Sequence, residues 1–193
     1  MSSTSAPFGM NPIRHINGKY LPAPRVMTDG IASAYGSAIY YGSPVMLNTN
    51  GTLTIATTAA DIIGVFAGCQ YVPSAGGLMT PSKNWVASTT YVAGTMQAFV
   101  WDDPNIIYEI QSNGSIAATA VGDQADFVNP GNGSSTLGTS TAAISSTLSG
   151  AGVQAQLRIV GLSQKIDNAW GDSYTIVEAM IARHQYVSNK VAI

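Results

Sequence analysis

Charged residues are scarce in this chain: eight Lys and Arg and ten Asp and Glu make up 9% of 193 residues, where a soluble domain usually carries about 25%. Disorder does not follow from that shortage, because disordered chains combine low hydrophobicity with high net charge, and 46% of this one is hydrophobic. The net charge of −2 has the wrong sign and size for a nucleic-acid footprint spread over the chain, so a nucleic-acid partner is not expected. Cysteine occurs once, at Cys69, which excludes an internal disulfide and a Cys-based zinc cluster within one chain. Its place in the apolar run 62–72 marks it as a small buried residue. No stretch approaches the roughly 18 apolar residues of a membrane-spanning helix, and the first residues lack the basic and apolar regions of a secretory signal. Synthesis in a cytoplasm and no membrane partner are the expectations. Gly, Ser, Thr, Asn and Ala take the place of charge, which suits a chain whose faces are covered by copies of itself or by a partner.

Proline, by contrast, is concentrated at one end. Pro7, Pro12, Pro22 and Pro24 are four of the nine prolines, and each fixes its own φ and pushes its predecessor out of the helical region. Residues 1–34 therefore read as an extended N-terminal arm. Phe8, Met10, Ile13, Ile16, Tyr20 and Leu21 make it too apolar for a solvated linker, while Arg14, Lys19 and Arg25 are its charges before Asp29. A tether lying along a neighbouring surface is expected.

From residue 35 onward the pattern has the short period of strands, and 35–193 reads as one β domain. The runs 44–47 and 52–55 flank Asn48-Thr49-Asn50-Gly51, a hairpin signal because Asn and Gly tolerate φ > 0. Residues 62–72 read as a long strand in which Gly64 or Gly68 marks a bulge or a close backbone approach. Further strands are expected at 96–101, 107–111, 156–162 and 174–182, the last also compatible with a helical face. One short helix is expected at 115–121, capped by Ser115. Fifteen of the twenty-four residues 129–152 are Gly, Ser or Thr, and no charge lies between Asp126 and Arg158; that composition alone fits a flexible linker, whereas Leu137, Ile144 and Leu148 suggest a long hairpin or loop projecting from the domain. The fold class expected is mainly β: a small barrel or sandwich with the extended arm and few short helices.

Signatures of catalysis are missing. There is no phosphate-binding Gly-Lys loop, no His-Glu-x-x-His and no Gly-x-Ser-x-Gly. Gly150-Ala151-Gly152-Val153-Gln154-Ala155 fits a dinucleotide fingerprint only in spacing, since a Ser/Thr-rich stretch precedes it and a strand pattern follows. Asp102-Asp103 would point to opposite faces of a strand, and Asp103-Pro104-Asn105 reads as a turn. His15 and His184, the two histidines, have no third ligand at a telling spacing. Trp85, Trp101 and Trp170 read as core or interface residues rather than sugar platforms. No cofactor, metal or catalytic residue is expected, and the chain reads as a non-enzyme.

The stretches Pro7-Phe8-Gly9-Met10-Asn11-Pro12-Ile13-Arg14-His15, Gly64-Val65-Phe66-Ala67-Gly68-Cys69-Gln70-Tyr71, Trp101-Asp102-Asp103-Pro104, Gln124-Ala125-Asp126-Phe127 and Asn168-Ala169-Trp170-Gly171-Asp172 resemble the head decoration, or capsid cement, proteins of tailed double-stranded DNA bacteriophages. The likeness covers nearly the whole chain and is looser over 129–152. It implies a small β-barrel, commonly a homotrimer, on the outer surface of the head, where it binds the major capsid protein and stabilises contacts between capsid subunits. Phe8, Ile13, Arg14, Ile16, Lys19, Tyr20 and Arg25 of the arm are the expected capsid-binding residues. The rival expectation is a fibre or receptor-binding protein that recognises host glycans through exposed aromatics and the 129–152 loop.

Overall fold

The computed structural model describes residues 2–18 and 20–187. Its strands, in chain order, are β1 (Asn11–His15), β2 (Arg25–Thr28), β3 (Pro44–Leu47), β4 (Leu53–Ile55), β5 (Gly64–Tyr71), β6 (Thr80–Ser82), β7 (Gln97–Trp101), β8 (Ile106–Gln111), β9 (Gln124–Ala125), β10 (Phe127–Val128), β11 (Gly133–Ser134), β12 (Thr139–Ser140), β13 (Ala143–Ile144), β14 (Leu157–Leu162) and β15 (Ile176–Ile181). Two antiparallel sheets dominate. One runs β1-β8-β15-β14-β9, and the other runs β2-β7-β5-β3-β4 with β6 added alongside β5. Neither closes on itself, so of the two architectures expected the chain adopts the sandwich and not the barrel.

Alternation along each strand builds the core between the sheets. Ile106, Tyr108 and Ile110 of β8, Leu157 and Ile159 of β14, and Val177, Ala179 and Ile181 of β15 pack in one cluster with Val65 and Trp101 from the six-stranded sheet and with Ile62 just before β5. The neighbours Ile63, Phe66 and Val100 point the other way, into a second cluster with Ile31, Ile39, Trp85 and Met96. β5 therefore buries both faces, which explains why 62–72 reads as an almost unbroken apolar run.

Both glycines singled out in that run act as expected. A Cβ on Gly64 would fall 2.1 Å from the Trp101 carbonyl oxygen, so only glycine lets β5 and β7 approach there. Gly68, at φ +118°, sits at a register shift between β5 and β7, the mark of a bulge. The β3–β4 hairpin is present as read, with the Asn48 side-chain oxygen accepting the Asn50 and Thr52 N–H groups and Gly51 at φ +76°. Residues 176–181 are a strand. The helix expected at 115–121 contracts to a single 3-10 turn, Ala118–Ala120, which Ser115 does not cap; seven residues without a cap cannot offset the cost of helix nucleation.

Of the arm, Asn11–His15 and Arg25–Thr28 are strands, and both are laid on this chain's own sheets and not on a neighbour. β1 forms the edge of the five-stranded sheet beside β8, and β2 forms the edge of the six-stranded sheet beside β7. Met10 is fully buried in the core between them. Upstream, Gln111 of β8 holds the backbone at both Thr4 and Ala6, at 3.0 and 2.8 Å, and the Ser2 N–H donates to the Asp167 carbonyl at 3.2 Å while the Ser2 carbonyl accepts from Tyr174 N–H at 2.7 Å.

Residues 129–152 form the outer part of a hairpin. β10 pairs with β13 at its root and β11 with β12 further out. Ile144 is fully buried and Leu148 packs against the same core, whereas Leu137 at the tip is 68% exposed. Of the three apolar residues that stood out in this stretch, Ile144 and Leu148 belong to the root and Leu137 to the tip.

Candidate functional site

The seven arm residues fall into two groups. Three are committed to this chain: the Phe8 ring lies under the Lys165 ammonium at 4.3 Å, Arg14 pairs with Glu178 of β15, and Arg25 pairs with Asp102. Glu178 and Asp102 thus supply the carboxylate partners of Arg14 and Arg25 from within the chain. Ile13 is half-buried in β1. Ile16 and Tyr20 remain turned to solvent, Ile16 at 51% and Tyr20 at 95% exposure. Lys19 lies outside the described residues.

The turn at residues 102–105, which carries the chain from β7 in one sheet to β8 in the other, gathers the rest. Asp103 Oδ1 accepts the Asn105 N–H at 2.8 Å, the Asx geometry that Asp-Pro-Asn favours. The two aspartates do point apart: Asp102 meets Arg25, and Asp103 faces His15 Nε2 at 3.4 Å. His184 closes over the same turn, with its Nε2 3.1 Å from the Asp102 carbonyl and its Nδ1 3.1 Å from the Tyr186 N–H. That pairing fits the neutral ring, donating from Nε2 and accepting at Nδ1. Burial holds the His184 pKa below its ordinary value, only partly opposed by the Asp102 carbonyl. Both histidines, 169 positions apart in the sequence, therefore brace one turn.

Around this turn lies a face with exposed apolar side chains. Ile16 and Val187 border a groove of about 510 Å³ with Pro104, Met180 and Ile181. Tyr186, beside Val187, has Arg25 over its ring at 5.9 Å. Tyr186 and Val187 are both exposed. Grouped apolar exposure of this kind marks contact surfaces more often than isolated exposed residues do. Tyr186 and Val187 were not among the residues expected from sequence, because only the fold brings the segment after β15 beside Ile16 and Arg25.

The outward face of the five-stranded sheet was also missed. Glu109 and Glu178 stand opposite each other on β8 and β15, a like-charge cross-strand pair that would be unfavourable alone. Lys165 at 2.9 Å and the Ser163 hydroxyl satisfy Glu109, and Arg14 satisfies Glu178. At the start of the chain the Ser2 hydroxyl and the Ala169 N–H hold the Asp172 carboxyl below its usual range.

The remaining candidates take structural places. Cys69 is buried and its thiol is pushed up to about 12 by desolvation, which leaves almost no thiolate at neutral pH. Trp85 and Trp101 are core residues, and Trp170 packs half-buried against the core. Gly150-Ala151-Gly152 forms a turn that leads into β14, without the strand-to-helix setting of a dinucleotide site. Among the described residues no group of three or more His, Cys, Asp or Glu is placed to hold a metal ion, and no helix is long and apolar enough to cross a membrane. Compared with protein-family models, with curated proteins and with solved structures, the chain matches none of them.

Proposed function

We propose that this chain is a structural virion protein, a decoration or cement protein that binds the outer face of a phage head and holds major capsid subunits together. The observation that carries the reading is the exposed apolar group beside the β7–β8 turn, where Ile16 and Val187 border one groove with Tyr186 next to Val187, taken with the likeness to such proteins expected from the sequence stretches quoted above. Tyr20 extends the same arm segment outward. In this reading the protein is not an enzyme, its partners are the major capsid protein and further copies of itself in a homotrimer, and its place is the head surface.

A protein that binds the assembled lattice and not the free subunit stabilises the closed shell by mass action. Three linked contacts then need only modest individual strength. Arg14 and Arg25 hold β1 and β2 to their own sheets, so that Ile16 and Tyr20 project from a fixed base instead of a loose tether.

Deletion of the first 25 residues would remove β1 and the first residue of β2 with its Asp102 partner contact, so point substitution is the sharper test. The double variant Ile16→Ser, Tyr20→Ala removes exposed side chains only, and it is expected to keep the melting temperature and lose most of its occupancy on undecorated heads in a sedimentation assay. Undiminished decoration by that variant would move the contact elsewhere. Light scattering is expected to give a trimer mass, and a monodisperse species of 20.0 kDa at micromolar concentration would count against the trimer.

A further inference from the structure

A second concavity lies away from the arm, built from three separate segments: residues 35–40, the end of β4 with the two residues after it, and the hairpin at 131–132. Its volume is about 550 Å³, inside the roughly 300–1,000 Å³ range of small-molecule sites. No ionisable acid or base of the charged types lines it. Its polar groups are the Ser37 and Thr57 hydroxyls, the Asn132 amide and the phenols of Tyr35 and Tyr40, and its apolar surface comes from the tyrosine rings with Ile55 and flanking alanines.

The walls are fixed before any ligand arrives. Tyr35 accepts the Ile55 N–H on its phenol oxygen at 3.2 Å, which ties the first segment to β4. Gly133 closes the hairpin against the Tyr40 ring, where a Cβ would fall 2.2 Å from Cδ2. Tyr40 is further held by its backbone, whose N–H donates to the Ser43 hydroxyl at 3.3 Å and whose carbonyl accepts from the Ser43 N–H at 2.9 Å. The side-chain polar groups of Ser37, Tyr40, Thr57 and Asn132, in contrast, make no hydrogen bond to other parts of the chain among the described residues.

We infer that this depression binds a neutral saccharide. A sugar ring presents apolar C–H faces and a rim of hydroxyls, and the depression offers aromatic and aliphatic surface beside several uncommitted donors and acceptors. The electron-rich ring faces of Tyr35 and Tyr40 suit the C–H face. The hydroxyls and the amide, which both donate and accept, suit the rim. An anionic ligand would find no cation here, and a wholly apolar one would strand the polar groups. The inference does not depend on the capsid reading, since none of the seven arm residues lines the site.

The test is titration of the isotope-labelled full chain with maltotriose, cellotriose and chitotriose, followed by amide shifts, together with an array of bacterial surface polysaccharides. A neutral saccharide is expected to shift amides at 36–40, 55–58 and 131–133 and to saturate. Asn132→Ala and Tyr40→Phe each remove one neutral hydrogen bond, and each is expected to weaken binding by about tenfold. Their amide spectra without sugar report that the fold is intact. Three results overturn the inference: no response to any neutral saccharide, shifts centred on the Ile16–Val187 groove instead, or unchanged affinity in Asn132→Ala and Tyr40→Phe. A response confined to sulfated or phosphorylated saccharides also overturns it, because the site holds no cation.

Discussion

The two sheets of this sandwich cover their outer faces in opposite ways. Beyond the six-stranded sheet lies a dry cluster in which Trp85 packs edge-on against Tyr71 and Tyr91, with ring centroids 5.7 and 6.2 Å away. Its few polar groups point at backbone: Trp85 Nε1 donates to the Tyr35 carbonyl at 3.3 Å and the Tyr91 hydroxyl to the Ile31 carbonyl at 2.7 Å. Beyond the five-stranded sheet lies a polar strip of Glu109, Glu178, Arg14 and Lys165, with Gln111 at its end, overlaid by the first residues of the chain. A protein with so few charges places four of them together on one sheet face. The dry cover draws its stability from area and shape, whereas the polar cover depends on each carboxylate keeping its partner.

That contrast is most exposed at Trp85. Trp85→Ala removes the centre of the dry cover and is expected to cost about 3–5 kcal/mol, read from denaturant unfolding, with little dependence on salt. Ile144→Ala, at the root of the hairpin in the other cluster, is expected to cost about 2–5 kcal/mol by the same mechanism. A loss under about 1 kcal/mol at either site would mean that its cover is not part of the cooperative core.

On the polar side the expected effects are smaller and depend on conditions. Arg14→Met keeps most of the stem but leaves Glu178 beside Glu109 without its cation. Because Arg14 is 41% exposed, solvent screens the pair, and the expected loss is about 1 kcal/mol at low salt. Repeating the unfolding in high salt should shrink that loss, since added ions screen the surviving carboxylate pair as well. Equal losses at low and high salt would assign Arg14 a packing role instead.

His184 adds a pH dependence that neither cover explains. Its folded pKa is lowered, so between that value and the unfolded value of about 6.5 the unfolded chain binds more protons. The stability it contributes is therefore complete above about pH 6.5 and falls as the pH drops below it. Protonation of Nδ1 would also displace the Tyr186 N–H that it accepts. His184→Gln is expected to flatten the melting temperature between about pH 6.5 and 5, and an unchanged slope would show that the ring is not desolvated in solution. Asp172, held low by Ser2, has the same sign but acts only below about pH 4.

What could be read beforehand follows from how local each signal is. The alternation read at 96–101 and at 107–111 lies in each case within one strand, and the Asn-Gly hairpin within the twelve residues 44–55, so both are visible in the sequence. β1 pairs with a strand more than 90 residues away, and nothing near Asn11 in the sequence records that partner. Proline and apolar content marked 1–34 as extended and in need of a surface, without telling whose surface it was. The charges of Arg14 and Arg25 were visible, but their partners Glu178 and Asp102 belong to other strands and turns. The rival expectation of glycan recognition named the 129–152 loop, which contributes Asn132 to the depression, but Tyr40 and Thr57 join it only where three distant segments meet, which sequence does not record. At 129–152 Leu137, Ile144 and Leu148 stood out in the sequence alike, and only the fold separates the buried Ile144 and packed Leu148 from the exposed Leu137.

The smallest expected effect divides that last segment in two. At the tip, Leu137 lies within a turn closed by Gly138 N–H donating to the Ser134 carbonyl at 2.8 Å, and its own N–H reaches the Ser134 hydroxyl at 3.2 Å. Neither bond involves the Leu137 side chain, which stands in solvent. Leu137→Ser keeps both and removes an exposed apolar group, so the change in stability is expected to stay within about 0.5 kcal/mol of zero. Gly138 is a different matter: its carbonyl accepts the Tyr41 N–H at 3.0 Å, and its φ of +67° strains any other residue. Thermal unfolding of Leu137→Ser beside Gly138→Ala separates the cases, the first leaving the midpoint in place and the second lowering it. If Leu137→Ser were the more destabilising of the two, the tip would be packed against another surface in solution, and the boundary between root and tip would lie further out than Ile144.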